Sequence, residues 1–342
     1  MRSFHRGGTA LAGAGSTSEL LRVDDLSVNL SSGVPAVDSV SFELRRGECL
    51  ALVGESGCGK TLTGLSLLLA VPPETGSTAA GSIRLDGCEL TALGRKRLRS
   101  VRGGRISMIF QDPAAALNPL FTIGSQVVET ILAHLEVSKA EARQRALGIL
   151  EDVGLKNPQR FLGLYSHQLS GGQCQRAMIA VALSTEPELL IADEPTTALD
   201  VTVQRQILDL LVRLRREKGL ALLLITHNLA LVAHLADRVL IMYAGQIVES
   251  ASLEELFEAP RHPYTRALLE CIPRLDARPG LPATIPGNVP VPGRWPAGCR
   301  FRERCAAARP GCERPQRLQP LEARPGTLVR CWLAAGMNLD NE

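Results

Sequence analysis

The stretch GESGCGKT, residues Gly54–Thr61, decides the fold of this chain. It fits the pattern G-x-x-x-x-G-K-[ST], in which glycines let the backbone turn tightly enough for several N–H groups to converge on phosphate oxygens. The apolar run Cys49–Val53 before it predicts a buried strand, and the proline-free run Thr61–Ala70 after it predicts a helix. A strand, a loop and a helix N-terminus in this order predict a phosphate site, with Lys60 on the terminal phosphates and the Thr61 hydroxyl on Mg²⁺. The predicted nucleotide-binding residues of the loop are Gly54, Glu55, Ser56, Gly57, Cys58, Gly59, Lys60 and Thr61.

Two carboxylates, Asp193 and Glu194, follow another short apolar run, Glu188–Ala192. In a phosphoryl-transfer site the first carboxylate of such a pair coordinates Mg²⁺ and the second polarises the attacking water. Taken alone, the pair is also typical of a helix cap. Together with the phosphate loop earlier in the chain, it favours the catalytic interpretation, with Asp193 on the metal and Glu194 as a catalytic residue.

The composition indicates a folded protein, because 45% of its 342 residues are hydrophobic and 21% are charged, enough for a large core and two domains. A net charge of +3 with both signs interspersed gives no basic field, and the one basic cluster, Arg95–Arg105, has no interleaved aromatic residues. We therefore expect a solvated surface there and no nucleic acid as partner. The longest stretch without Asp, Glu, Lys or Arg, Gly219–Ala236, predicts a buried strand and a short helix instead of a membrane span. Residues 1–18 are too weakly apolar for a secretory signal and predict a flexible tail.

The rest of the chain predicts two kinds of subdomain. Alternating apolar residues from Leu20 to Leu44 predict two antiparallel strands, and GSIRLDGCEL, residues 81–90, adds to the same small sheet. From Asn118 to Leu183 the apolar spacing is helical. The stretch VLIMYAGQIVE predicts a hairpin that turns at Ala244 and Gly245.

The stretch LSGGQCQR, residues 169–176, resembles the signature sequence of ATP-binding cassette (ABC) proteins. Gln111 after the strand ISMIF, Asp200 in TTALD and His227 in ITHN match the Q-loop, the D-loop and the switch histidine of that family, in the family's order. The resemblance implies an α/β fold of the ABC-type P-loop NTPase, with a RecA-like parallel core and an antiparallel β subdomain. It also implies an α-helical subdomain at about residues 112–183.

The resemblance implies a head-to-tail dimer with two ATP molecules at its interface. Each nucleotide would be held by the phosphate loop of one subunit and by the signature turn of the other, whose residues are Ser170, Gly171, Gly172 and Gln173. A Ser-Gly-Gly turn before a helix supports this arrangement, because it offers N–H groups and the positive end of a helix dipole to an anion. The family's scheme also places Gln111 with Thr61 and Asp193 on Mg²⁺, His227 on the γ-phosphate as a catalytic residue beside Glu194, and Asp200 in the nucleotide-binding set.

Two positions depart from the family pattern. Leu30 stands near the end of the first strand, where the family usually has an aromatic side chain stacked on adenine. Cys174 stands in the signature stretch where arginine is common in relatives. The first departure leaves open which side chain holds the adenine base.

A closer resemblance is to the ATP-binding subunits of bacterial oligopeptide and dipeptide importers. HPYTRALL, residues 262–269, matches the segment after their ATPase core, and PAGCRFRERC, residues 296–305, matches their cysteine-bearing tail. The resemblance divides the chain into an ABC ATPase domain, 19–258, and a C-terminal extension, 259–342. It implies an ATPase that powers peptide uptake, with nickel or another small solute as an alternative cargo.

The nine cysteines are expected to be reduced thiols or metal ligands, because the sequence has no secretion signal. Four of them have the spacing C-x5-C-x6-C-x18-C, without the paired C-x2-C knuckles of a zinc ribbon. Similar tails of some peptide-importer ATPases hold a 4Fe-4S cluster, so the resemblance implies that cluster here, with zinc or unliganded thiols as alternatives. The implied ligands are Cys299, Cys305, Cys312 and Cys331.

The implied partners are two transmembrane permease subunits, a substrate-binding protein acting through the permease, and either a paralogous ATPase subunit or a second copy of this chain. The helical subdomain and the Gln111 region would form the groove for the permease, at the cytoplasmic face of the inner membrane. Two alternatives are a soluble ABC ATPase acting on DNA or ribosomes and a regulatory module with a silent ATPase. The first usually carries a coiled-coil insertion or two cassettes, which this sequence lacks, and the second conflicts with the intact motif residues.

Overall fold

The structure, a computed structural model, describes residues 18–197, 199–272, 284–322 and 324–335. The expected flexible tail, residues 1–18, lies outside the described residues except for Ser18. The strands are β1 Glu19–Leu30, β2 Pro35–Arg45, β3 Cys49–Val53, β4 Gly76–Leu85, β5 Cys88–Glu89, β6 Ile106–Ile109, β7 Leu189–Asp193, β8 Ala221–Thr226, β9 Arg238–Tyr243, β10 Gln246–Ser252, β11 Gln319–Leu321 and β12 Arg324–Val329. The helices are α1 Lys60–Leu67, α2 Arg95–Val101, α3 Pro113–Ala116, α4 Ile123–His134, α5 Lys139–Asp152, α6 Pro158–Leu162, α7 Gly171–Leu183, α8 Val201–Lys218, α9 Leu229–Leu235, α10 Leu253–Glu258, α11 Pro263–Glu270 and α12 Trp332–Ala335.

The larger sheet carries the phosphate loop. Its strand order is β11-β12-β10-β9-β3-β8-β7-β6, and the five strands from β9 to β6 are parallel to one another. Every residue of β3, β6, β7 and β8 is buried, as expected for parallel strands covered on both faces. Because the carboxyl ends of parallel strands meet at one edge, the residues that follow these four strands lie close together.

The smaller sheet is antiparallel, with the order β2-β1-β4-β5. This confirms the two strands predicted between Leu20 and Leu44 and the addition of the GSIRLDGCEL strand to them. The predicted hairpin is also confirmed, since β9 and β10 pair with Tyr243 opposite Gln246. Its two turn residues, Ala244 and Gly245, have φ values of 45° and 83°, the left-handed conformation that both central residues of a type I′ hairpin turn adopt.

The helical region predicted from Asn118 to Leu183 is also present. Helix α5 begins after Ser138, whose side chain accepts a hydrogen bond from the backbone N–H of Glu141. Its buried residues, Ala142, Ala146, Ile149 and Leu150, recur at helical spacing on one face, which packs with α4, α6 and α7. This packing makes the helices a compact unit beside the larger sheet.

The C-terminal extension contains more regular structure than its sequence indicates. Strand β12 pairs antiparallel with β10, with Val329 opposite Glu249, and β11 pairs with β12. The last two strands therefore continue the larger sheet and cover the edge that β10 would otherwise leave unpaired. These strands are three and six residues long and each contains a proline. Their pattern of apolar and polar residues is therefore too short to indicate a strand from the sequence. The predicted domain boundary at 258/259 stays a prediction.

Candidate nucleotide site

The phosphate loop leaves the fully buried strand β3 and enters α1, as its sequence predicts. Only glycine fits at position 54, because a Cβ there would lie 2.1 Å from the carbonyl oxygen of Met242. Gly59 has φ of 104°, in the region that glycine alone adopts easily. Lys60 is buried, and its Nζ donates to the carbonyl oxygens of Gly54 at 2.8 Å and Glu55 at 3.0 Å. The lysine ammonium thus lies inside the curve of the loop.

The buried carboxylate of Asp193 lies beside the start of α1. It is the last residue of β7, and its Oδ1 accepts a hydrogen bond from the Thr61 hydroxyl at 3.3 Å. Burial raises the pKa of Asp193, and the neighbouring Glu194 raises it further, against the opposing effects of Thr61 and Lys60. A cation bound by Thr61 and Asp193 would favour the ionised carboxylate in this environment.

Glu194 and His227 follow neighbouring strands and are in direct contact. The backbone N–H of His227 donates to Glu194 Oε1 at 3.0 Å, and His227 Nδ1 lies 2.6 Å from the same oxygen. Thr226 donates its hydroxyl to Glu194 Oε2 at 3.3 Å. Glu194 itself has φ of 47°, an uncommon conformation for a non-glycine residue and one that often marks functional sites. The histidine ring is exposed and the carboxylate is largely buried.

A cavity of about 360 Å³ brings most of the predicted residues together. From the phosphate loop and the catalytic set, the cavity is lined by Ser56, Gly57, Gly59, Lys60, Thr61, Gln111, Glu194 and His227. Leu30 and Ala36 of the smaller sheet also line it, and so does Pro292 of the C-terminal extension. Three loop residues do not line it: Cys58 is buried near the Lys60 ammonium, Gly54 and Glu55 line a separate cavity, and the Glu55 side chain faces the extension. Sequence reasoning missed Pro292, because the letters give no sign that residue 292 returns to the loop.

The signature turn forms a separate helix N-terminus. Ser170 caps α7 with a reciprocal pair of hydrogen bonds to Gln173, and Gly171 and Gly172 form the first turn. A Cβ on Gly172 would lie 2.8 Å from Val203, so α7 and α8 pack closely there. Asp200 caps α8 by accepting from Val203 N at 2.9 Å. Among the described residues that line the nucleotide cavity, none belongs to the signature turn.

Cys174, which departs from the family pattern, is buried in the helical region. Its Sγ lies 3.3 Å from the carbonyl oxygen of Ser166, and burial raises the pKa of its thiol. A small, neutral side chain suits this position in α7 better than a charged one would.

The four predicted cysteine ligands come together in the C-terminal extension. We call residues 299–331 the four-cysteine segment. Cys299, Cys305, Cys312 and Cys331 line one small cavity of about 10 Å³, room for roughly one water molecule. Burial raises the pKa of Cys299 to about 11 and also raises those of Cys305 and Cys331, with the neighbouring thiols adding to each shift. In the parts of the chain that the structure describes, no three His, Cys, Asp or Glu side chains are arranged to hold a metal ion.

The fold and the cavity define a class of protein: a P-loop nucleoside triphosphatase whose phosphate loop, paired carboxylates and histidine meet at the edge of a parallel sheet. The ABC transporter family matches residues 37–197, and the oligopeptide/dipeptide transporter C-terminal region matches residues 248–312. No helix in the described ranges is long and apolar enough to cross a membrane.

Curated relatives and solved structures agree with this class. The chain is 46% identical to the oligopeptide transport ATP-binding protein AppD of Bacillus subtilis, over 92% of this chain and 97% of that protein. It is 44% identical to the dipeptide transport ATP-binding protein DppD of Escherichia coli, over 86% of this chain and 90% of that protein. The ATP-binding cassette MJ0796, solved as a dimer bound to ADP and Pi, is 27% identical with a TM-score of 0.62, over 68% of this chain and 99% of that chain. The chain therefore belongs to the ATP-binding subunits of peptide-importing ABC transporters, and it is an ATPase.

Proposed function

We propose that this chain binds ATP with Mg²⁺ in the nucleotide cavity and uses ATP hydrolysis to drive the import of oligopeptides or dipeptides. The observation that carries the proposal is the meeting of Lys60, Thr61, Glu194 and His227 in one cavity, in a chain whose C-terminal region matches that of oligopeptide and dipeptide transporters. Relatives named for peptide, oligopeptide and dipeptide transport support peptides as cargo over nickel or another small solute.

Each residue has a role in keeping with its place in the cavity. Lys60 exchanges its two carbonyl partners for the terminal phosphates of ATP, while the loop N–H groups bind the remaining phosphate oxygens. Thr61 and Gln111 in the cavity, with Asp193 accepting a hydrogen bond from Thr61, would hold Mg²⁺, which would offset the negative charge of the phosphates. Glu194 polarises the attacking water, and His227, fixed by its contact with Glu194, binds the γ-phosphate. The common acceptor, Glu194 Oε1, keeps the base and the phosphate-binding histidine in a fixed relation.

The site requires a second subunit, because the phosphate loop and the signature turn lie in separate places. Ser170 and Gly172 of one subunit close over the γ-phosphate bound to the loop of the other, with Asp200 at the same interface. The MJ0796 cassette, solved as a dimer, supports this arrangement. The second subunit is a paralogous ATPase or another copy of this chain.

The surface around Gln111 suits a membrane permease. Phe110, Leu120 and Phe121 are large apolar side chains with 44%, 80% and 49% of their surface exposed, close together in the sequence. Next to them lies a groove of about 250 Å³, lined among others by Phe110, Leu117 and Met178. Exposed apolar side chains beside a groove are typical of a protein–protein contact. We assign this surface to the two permease subunits, at the cytoplasmic face of the inner membrane, with a substrate-binding protein acting through them.

The four-cysteine segment has the donor set of a 4Fe-4S cluster. Four thiols around one cavity supply the number and kind of ligand that a 4Fe-4S cluster takes, although no three of them are arranged to hold a metal ion in the described residues. The present cavity holds no more than a water molecule, so the four thiols would move apart to admit a cluster. When bound, the cluster would supply covalent cross-links between four parts of an irregular segment. We assign Cys299, Cys305, Cys312 and Cys331 as its ligands, with zinc or free thiols as outcomes of the test below.

Transport in a defined system tests the proposed function. The full chain, its ATPase partner and two permease subunits are reconstituted in liposomes with the binding protein, and uptake of labelled di- and oligopeptides is measured. We expect uptake that requires ATP and is lost when Lys60→Ala replaces the wild type. Uptake of nickel that peptides do not inhibit would rule out peptides as the cargo. An ATPase that neither associates with permeases nor responds to them would instead favour a soluble, non-transport role.

A further inference from the structure

Arg304, in the four-cysteine segment, forms an ion pair with the phosphate loop. Its Nη1 donates to Glu55 Oε1 at 2.9 Å, and its Nη2 donates to Glu55 Oε2 at 3.0 Å. Only 5% of the Arg304 side chain is exposed, so water screens the pair weakly. Two parallel hydrogen bonds between a guanidinium and a carboxylate fix both the distance and the orientation of the two groups. Arg304 directly precedes Cys305, one of the four thiols.

The guanidinium is itself held by the backbone of the extension. Arg304 Nε donates to the carbonyl oxygen of Pro286 at 2.8 Å, and Nη2 also donates to that of Ile285 at 3.2 Å. Nη1 also donates to the hydroxyl of Tyr243 at 3.3 Å. Arg304 therefore links Glu55 to the backbone at residues 285 and 286. If the loop moved without the extension, hydrogen bonds on one side of the guanidinium would break.

A second contact holds the backbone of the same loop residue. The N–H of Glu55 donates to the hydroxyl of Tyr264 at 3.0 Å, and Tyr264 is fully buried. The Tyr264 ring packs against Tyr243 and against Phe301, which lies three residues before Arg304. Both the side chain and the backbone of Glu55 are thus tied to groups in or against the extension.

Glu55 lies next to the group that binds phosphate. Its carbonyl oxygen accepts a hydrogen bond from Lys60 Nζ, the ammonium assigned above to the terminal phosphates. A change in the position of Glu55 therefore changes the position of the lysine and of the loop N–H groups. The contact chain runs from Cys305 through Arg304 and Glu55 to Lys60.

We propose that Arg304 is a positioning residue of the ATP site: by holding Glu55 it keeps the phosphate loop in the shape that accepts a triphosphate, so the fold of the four-cysteine segment sets nucleotide affinity. The inference rests on the proposed function only in taking the loop as the phosphate site. It assigns the extension a direct part in ATP binding, which none of the motif residues implies.

Nucleotide binding by the full chain tests the proposal. Dissociation constants for ATP and for inorganic tripolyphosphate are measured for the wild type, Arg304→Ala and Arg304→Lys, together with unfolding temperatures. We expect Arg304→Ala to raise both constants by about tenfold, because the defect lies at the phosphates, and Arg304→Lys to raise them less. The matched control is Arg302→Ala, in the same short helical turn, whose guanidinium donates to the carbonyl oxygen of Ala297 and leaves the loop untouched.

A double-mutant cycle separates positioning from general destabilisation. Glu55→Ala and Arg304→Ala should each raise the dissociation constants, and the double variant should be no worse than either single one, because both remove the same contact. A lower unfolding temperature with unchanged dissociation constants would show that Arg304 only stabilises the fold, and would overturn the proposal. Additive effects in the double variant would also overturn it. If Arg304→Ala does not fold, Arg304→Lys and Glu55→Gln carry the same comparison. Failure of the wild type to bind ATP would instead reject the proposed function.

Discussion

The phosphate loop and the four-cysteine segment touch each other, yet they are held in place in different ways. The loop is held by regular backbone at both ends, between the buried strand β3 and helix α1. Outside its two strands, β11 and β12, the segment is held by arginine side chains that donate to main-chain carbonyls: Arg300 to Ala244, and Arg330 to Ile247 and Gln316. A regular backbone can position catalytic groups by itself, whereas the irregular part of the segment, before β11, depends on a few long side chains. We therefore expect substitutions in the core to change the rate of ATP hydrolysis. Substitutions in the extension should change how well that extension is ordered and how tightly the chain binds ATP.

The largest effect is expected in the core, at Glu194. Glu194→Gln keeps the shape of the side chain but removes the charge that polarises water, so ATP hydrolysis should fall about 100-fold or more. ATP binding should persist and the ATP-bound dimer should accumulate. Phosphate release and size-exclusion chromatography with ATP measure the two results. The control is Glu186→Gln, an exposed glutamate before the same strand, and unchanged hydrolysis in Glu194→Gln would remove Glu194 from its role.

The grouping of the carboxylates and the histidine was predictable because they stand at the ends of apolar strands. Asp193 and His227 stand directly after runs of buried apolar residues, and such continuous runs indicate parallel strands whose carboxyl ends meet at one edge of a sheet. The contact of Arg304 with Glu55 joins residues 249 positions apart, and no local pattern marks either partner. The two final strands escaped prediction for a similar reason: β12 pairs with the free edge of β10, and β11 pairs with β12, so their positions depend on a distant sheet edge as well as on their own residues.

An intermediate effect is expected in the extension, at its thiols. Cys312 is buried in the four-thiol cavity, so Cys312→Ser should abolish iron binding and the visible absorption typical of iron–sulfur clusters after anaerobic purification. Loss of the proposed cluster should also speed proteolysis within residues 284–335 by about tenfold, while residues 19–258 stay resistant. The matched control is Cys88→Ser, an exposed cysteine on the smaller sheet. A colourless wild type with one zinc per chain would show that the four thiols bind zinc instead of a cluster. A metal-free wild type would show that they are free thiols.

The smallest effect is expected where the extension reaches the nucleotide cavity, at Pro292. Leu30 and Pro292 are among the apolar residues that line that cavity, and we take them as surfaces for the adenine base. Pro292→Ala removes part of that surface and should raise the dissociation constant for ATP about threefold, without changing that for inorganic tripolyphosphate, which has no base. Leu30→Phe supplies an aromatic ring and should act in the opposite direction, while Pro310→Ala, at an exposed position, serves as the control. Equal weakening of ATP and tripolyphosphate by Pro292→Ala would mean that this part of the extension acts on the phosphates, as Arg304 does, and that the base is held elsewhere.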